Sequence, residues 1–226
     1  MTTTQSTEAG PDQGPAFVMP DFVGDSAQLW LIRHGQTEWS RDGRHTGRTD
    51  VPLTERGEQQ ARALAPLLAD LNPALVLTSP RSRAQRTAEL AGLRVDAVDD
   101  DLAEWDYGDY EGVTTPQIHR TDPGWTVFTR PTPGGETAEQ IRARVDRVLT
   151  RAADALRTGP VVLVAHGHIS RVLGARWIGL SVRDGGRFVL GEAAPCILGA
   201  EHGTAAIRTW NRPNPASAPP AEENAR

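Results

Sequence analysis

The chain alternates between short continuous apolar runs and longer segments whose apolar residues recur every three to four positions. The runs at 29–32, 75–78 and 161–165 contain almost nothing but Leu, Val, Ile, Ala and Trp. A run that is apolar at consecutive positions has no face for water, which is how a strand covered on both sides of a parallel sheet reads. A further strand is predicted at 94–98. Between these runs lie helix signals. Thr54 is a good N-cap, Glu55 and Glu58 stand in the first turn, and Ala61, Leu64, Ala65 and Leu68 share one face, predicting a helix from 54 to about 71. Ser79-Pro80 reads as the N-cap and first position of a helix that runs to about Ala91 and stops at Gly92. Thr137-Ala138-Glu139-Gln140 has the capping-box pattern, and Ile141, Val145, Val148, Ala152 and Leu156 follow at helical spacing. A last helix is predicted at 169–179, with short strands at 188–190, 197–200 and 205–210.

Strand and helix thus alternate from 29 to 179, the pattern of an α/β domain on a mostly parallel sheet. The polar, Gly-rich stretch 35–52 is long enough to be a functional loop. The irregular stretch 99–135 is rich in Trp, Tyr, Gly and Pro, has room for one short helix at 115–120, and is expected to cover the sheet's carboxyl edge. Residues 1–27 read as a disordered leader, with a local contact open to Phe17 or Phe22, and 211–226 as a tail that does not fold. That leaves 28–210 as one domain without an internal repeat. The last short strand leaves a homodimer open.

Composition narrows the function. With 38% hydrophobic and 23% charged residues over 226 positions, one core of ordinary size is expected. A net charge of -5 argues against a general nucleic-acid binder. Cys196 is the only cysteine, so no intrachain disulfide forms. No run of about 18 apolar residues offers a membrane span, and the first residues lack a secretory signal's charged and apolar regions. A cytoplasmic protein is expected. Against the acidic balance, Arg33, Arg81, Arg83 and Arg86 gather around the strand ends, as a single anion pocket requires.

In a parallel sheet the carboxyl ends share one edge, where ligands bind. The first strand ends in Arg33-His34-Gly35, the second in Thr78-Ser79-Pro80 ahead of Arg83, and the fourth in His166-Gly167-His168; Glu104 lies six residues past the third. Phosphoryl transfer asks for guanidinium groups on phosphate oxygens, N–H groups at a helix start, a neutral imidazole as nucleophile and an acid for the leaving alkoxide. Arg33 and Arg83 suit the first need, the helix after Ser79 the second, His34 or His166 the third, and Glu104 the fourth, in competition with Asp106, Asp109 and Glu111. A metal hydrolase using His34, His166 and His168 lacks further ligands at a recognisable spacing, so no metal is expected. A non-catalytic phosphate-binding module fits less well, because candidate nucleophile and acid are both present.

Arg33-His34-Gly35-Gln36-Thr37-Glu38-Trp39, with Gly43-Arg44, Gly47, Asp50 and Pro52-Leu53-Thr54, resembles the opening motif of the histidine phosphatase (phosphoglycerate mutase-like) superfamily. Ser79-Pro80-Arg81-Ser82-Arg83-Ala84-Gln85-Arg86-Thr87-Ala88 is similar to its second motif. The run Leu102-Ala103-Glu104-Trp105-Asp106-Tyr107-Gly108-Asp109-Tyr110-Glu111-Gly112 is similar to its acid-bearing motif, and Ala165-His166-Gly167-His168 to its last. The third motif, with Gly43-Arg44-His45-Thr46-Gly47, resembles most the bacterial acid phosphatase and sugar-bisphosphatase branch. The resemblance implies a three-layer α/β/α fold and a metal-independent phosphomonoesterase without cofactor, acting on a small phosphorylated metabolite. It implies His34 as the residue that becomes phosphohistidine, Arg33, Arg83 and His166 as holders of the phosphoryl group, Glu104 as acid and then base, and the Gly167 N–H as a further donor. Ser40 stands where the family often has Asn, with a shorter reach to phosphate. His45, Thr46 and Gly47 fall where the substrate's alcohol would be read. A cofactor-dependent phosphoglycerate mutase is the alternative, but it needs a larger lid than 99–135 offers.

Overall fold

A computed structural model describes residues 15–217. Its centre is a six-stranded sheet in the order β3-β2-β4-β1-β5-β6, built from β1 (Leu29–Arg33), β2 (Leu75–Thr78), β3 (Ala97–Val98), β4 (Val161–Ala165), β5 (Pro195–Glu201) and β6 (Thr204–Thr209). β1 to β4 are mutually parallel; β5 runs antiparallel to β1, and β6 to β5. Side chains alternate across each strand. Leu29, Leu31, Val161 and Leu163 therefore enter the core under α6 (Ala138–Ala155) and α7 (Gly167–Trp177). Trp30, Ile32, Val162 and Val164 enter the opposite core, under α2 (Glu55–Arg62) and α4 (Ser82–Leu90). Helix, sheet and helix make the three expected layers. Among the described residues no helix is long and apolar enough to cross a membrane.

Several predicted elements differ in ways that have local causes. The helix expected over 54–71 is two pieces, α2 and α3 (Ala65–Leu68), because Pro66 sits in the first turn of the second and cannot donate to an unbroken ladder. Ser79 is not a helix N-cap. Its N–H continues the sheet by donating to Val164 O at 3.0 Å, and α4 starts three residues later, where Asp50 accepts from Ser82 N at 3.0 Å. The third strand is only Ala97–Val98, and 188–190 forms no strand, since β5 takes the place beside β1. The loop 35–52 contains a short helix, α1 (Glu38–Arg41), and α5 (Thr115–Ile118) is the short helix of the irregular segment.

The proposed leader and tail are in part docked. Val23 and Ala27 are buried, and Phe17 stacks on Trp177 at 6.1 Å between ring centroids. Asn214 is buried because its amide donates to the carbonyls of Gln60 at 2.9 Å and Ala193 at 3.0 Å. Residues 1–14 and 218–226 lie outside the described residues.

Candidate active site

The strand order brings the candidate residues together. β4 lies between β1 and β2, with Arg33 opposite Ala165 and Thr78 opposite Val164. The next residues, His34, His166 and Ser79, therefore leave three neighbouring strands at one edge. His34 N still donates to Ala165 O at 3.0 Å. The two imidazoles meet edge to face, 5.1 Å apart, both buried.

His34 Nδ1 lies 2.7 Å from Gly35 O. A carbonyl only accepts, so Nδ1 carries the proton and Nε2 keeps its lone pair. Burial, then the charges of Arg83 and Arg33, hold this imidazole well below its ordinary pKa, hence neutral. Gly35 is a glycine for a reason of space: a Cβ there would lie 2.3 Å from Gly57 O in α2.

Arg83 is fully buried. Its Nε donates to His166 Nδ1 at 3.2 Å, and its Nη atoms donate to Thr49 O at 2.9 Å and Thr46 O at 3.0 Å. His166 Nε2 lies 2.6 Å from Ser79 Oγ. Since Nδ1 accepts from a guanidinium, Nε2 is the protonated nitrogen and Ser79 Oγ its acceptor. Burial and Arg83 also push His166 well below its ordinary pKa. Arg33 is placed differently. Its Nη1 donates to Leu190 O at 2.7 Å, but its buried Nε has no partner. A buried unpaired guanidinium N–H carries a desolvation cost of a few kcal/mol unless an anion meets it.

Of the four carboxylates that compete for the acid role, only Glu104 stands at the start of α7. Oε2 accepts from His168 N at 2.9 Å; Oε1 accepts from Ile169 N and Trp105 N, both at 2.9 Å. Gly167 lies between it and Arg33: a Cβ there would be 3.5 Å from Arg33 Nε and 3.7 Å from Glu104 Oε2. Asp106 pairs with Arg48, Asp109 is exposed, and Glu111 accepts from Gly47 N at 2.9 Å and Thr49 N at 3.0 Å. Glu111 thereby braces the loop that cages Arg83.

The expected substrate readers are mostly occupied. Gly47 gives its N–H to Glu111 and its carbonyl to Arg81 Nε at 3.2 Å. Thr46 Oγ1 donates to Arg44 O at 3.0 Å. The Ser40 hydroxyl caps α1 through Thr37 and donates to Glu192. His45 faces Tyr107 and Trp125, and burial lowers its pKa to about 4.

Sequence reasoning missed four participants: the Ser79 hydroxyl, the Glu192 carboxylate beside Ser40, the Glu111 brace and the Tyr107 hydroxyl. Tyr107 is fully buried and its OH meets His168 Nδ1. A tyrosine in a buried stretch needs a partner for its OH, and that was the one signal available.

Comparisons with known proteins give the family. The sequence profile of the histidine phosphatase superfamily (branch 1) matches residues 29–213. An acid phosphatase of Mycobacterium tuberculosis is 43% identical over 196 residues, covering 84% of this chain and 97% of its own. A sedoheptulose 1,7-bisphosphatase of Saccharomyces cerevisiae is 38% identical, covering 68% of each chain. The solved structure of a Mycobacterium tuberculosis open reading frame superposes with a TM-score of 0.81 at 43% identity, covering 83% of this chain and 98% of that one. Since the match runs from the first strand of the sheet to past the last and takes in all of the clustered residues, the chain belongs to branch 1 of the histidine phosphatase superfamily.

Proposed function

We propose that this enzyme hydrolyses phosphate monoesters of small metabolites through a phosphohistidine on His34, with no metal in the scheme. One observation carries the reading. A neutral imidazole, pinned by Gly35 O so that Nε2 keeps its lone pair, stands in a cluster where Arg33 Nε is buried without a partner. A phosphoryl group satisfies both, one as electrophile and one as anion.

In the first step His34 Nε2 attacks phosphorus, and the bond from phosphorus to the ester oxygen breaks. Glu104, in its carboxylic acid form, gives its proton to the departing alkoxide. Oε2, which faces Arg33 across Gly167, is the oxygen for this transfer. In the second step the Glu104 carboxylate takes a proton from water as the water oxygen attacks phosphorus. The bond to Nε2 breaks, phosphate leaves, and the imidazole returns neutral. Arg33 holds the equatorial oxygens, and the Gly167 N–H, next to the His168 and Ile169 N–H groups that Glu104 takes, is the further donor to the same charge. Arg83 has its Nε and both Nη atoms on protein acceptors, so it contributes charge and orients His166.

The test is phosphate release from aryl phosphate, sugar mono- and bisphosphates and 3-phosphoglycerate, in EDTA, for wild type and His34→Ala. Release by the wild type that falls at least a thousandfold in the variant is expected. Equal rates in both would overturn the role of His34. Isomerisation of 3-phosphoglycerate faster than hydrolysis would make the protein a mutase.

A further inference from the structure

A cavity of about 380 Å³ opens beside the catalytic cluster, lined by His45, Trp125, Phe128, His168, Arg171 and Arg183 among others. That volume lies in the range that takes a small organic ligand. His168 joins cavity and cluster: its backbone N–H sits on Glu104 and its ring forms part of the wall. The two regions also share a field, since Arg171 feels the charge of Glu104, and His168 feels both Arg171 and Arg33.

The charge of the cavity is one-sided. Three arginines line it, Arg171, Arg183 and Arg187, and no aspartate or glutamate does. Arg187 is paired with Asp184 at 3.2 Å. Arg171 is held as a fixed reader: Nε donates to Gly185 O at 3.0 Å, Nη2 to Gly186 O at 3.1 Å, and the guanidinium lies over Phe128 at 4.6 Å. These anchors leave donors of its planar fork for a ligand. Nearer the cluster the wall is polar and neutral. Burial keeps Tyr107 protonated, and its OH meets His168 Nδ1. His45 Nε2 lies 3.2 Å from Thr115 Oγ1. The aromatic rings are already engaged: Arg171 covers Phe128, and Tyr110 and His45 each meet Trp125 edge to face.

Resting on the phosphatase reading above, we infer that this cavity receives the alcohol part of the ester. There Arg171, with Arg183, selects substrates whose hydroxylated chain ends in a second anionic group. That group is a phosphate or a carboxylate. A neutral polar stretch followed by a rigid guanidinium fits such a chain better than it fits a flat aromatic alcohol.

The experiment is kcat/KM for a sugar bisphosphate, the matching monophosphate, 3-phosphoglycerate and p-nitrophenyl phosphate. It is run on wild type, Arg171→Met, Arg171→Lys and Arg183→Met. The wild type is expected to prefer a doubly anionic substrate over the matching monophosphate at least tenfold. Arg171→Met should cut that ratio about tenfold, mostly through KM, and Arg171→Lys should restore part of it. Arg183 is exposed, so Arg183→Met tests the same ratio without disturbing the turn that Arg171 supports, and a threefold or larger fall is expected. The doubly anionic substrate whose ratio falls, bisphosphate or phosphoglycerate, identifies the second anion. A wild-type ratio near one, or a ratio unchanged in both Met variants, overturns the inference while aryl phosphate hydrolysis still upholds the phosphatase reading. Failure of the wild type to release phosphate from any of the four overturns that reading, and this one with it.

Discussion

At His34 the difference between a base and an acid rests on three influences. Burial comes first, followed by the Arg83 and Arg33 charges, and all three disfavour the imidazolium. The proposed nucleophile therefore stays unprotonated well below pH 6.5. The rate should show this directly: kcat/KM for an aryl phosphate is expected not to fall between pH 7 and 5, and an acid limb near 6.5 would refute the argument. Gly167 gives a second residue-scale prediction. A Cβ there meets Arg33 and Glu104 at ordinary contact distance, so Gly167→Ala should fold as well as wild type. It narrows the space that the proposed mechanism gives to the phosphate oxygens. Inhibition by inorganic phosphate is expected to weaken about tenfold while Tm holds; an unchanged inhibition constant would count against phosphate lying there. Gly35→Ala is the contrast, since its Cβ would be driven into Gly57 O at 2.3 Å and should lower Tm.

Among elements, α6 matters to the site through one side chain. Arg144 is buried, and its Nη1 donates to Asp101 O at 2.8 Å and Ala103 O at 2.6 Å, its Nη2 to Glu104 O at 3.1 Å. Glu136 pairs with it at 2.8 Å. It ties the acid-bearing loop to a helix that the sequence marks plainly. Arg144→Met leaves these carbonyls without a partner and the Glu136 charge with only the Asp106 N–H, a loss of about 3–5 kcal/mol that urea unfolding would measure. Activity should fall with it, because the Glu104 backbone is no longer held; a variant as stable as wild type would remove this role. The same element level shows what could be read in advance. β1 and β4 were legible because burial on both faces leaves no polar position in the run. The C-terminal end of α2 and the start of α4 were not. Pro66 broke an otherwise helical pattern, and Ser79, a good cap by type, was diverted to His166 by the sheet. Convergence of the four motifs at one edge followed from a parallel sheet. The insertion of β4 between β1 and β2 did not, because no local pattern records strand order. Tyr107, Glu111 and Glu192 act through partners far along the chain, so their types did not reveal which groups they would meet.

For the molecule as a whole, the cost of building this site is a dependence of stability on pH. His34, His166 and His168 are each held well below the ordinary value by burial, and His45 is lowered to about 4. The unfolded chain binds a proton at each of these as pH drops below about 6.5, while the folded chain does not. Stability is therefore full above that pH and declines as pH falls, by up to about 1.4 kcal/mol per pH unit for each histidine. For His45 the decline runs from 6.5 down to 4, where its folded form also takes the proton. The carboxylates lowered by their partners, Asp101 and Asp184, lose their contribution only as pH falls below about 3.8, so the two windows separate. Urea midpoints at pH 7.5, 6, 5 and 4.5 should fall steadily toward the acid end. His45→Gln, which keeps an amide for Thr115 but cannot titrate, should flatten the slope between 6 and 4.5 by about 1 kcal/mol per pH unit. A flat wild-type profile from pH 7 to 5 would mean that these imidazoles are not held neutral. The nucleophile would then be protonated at mild acid pH, and the kinetic and stability arguments would fail together, because both rest on the same buried rings.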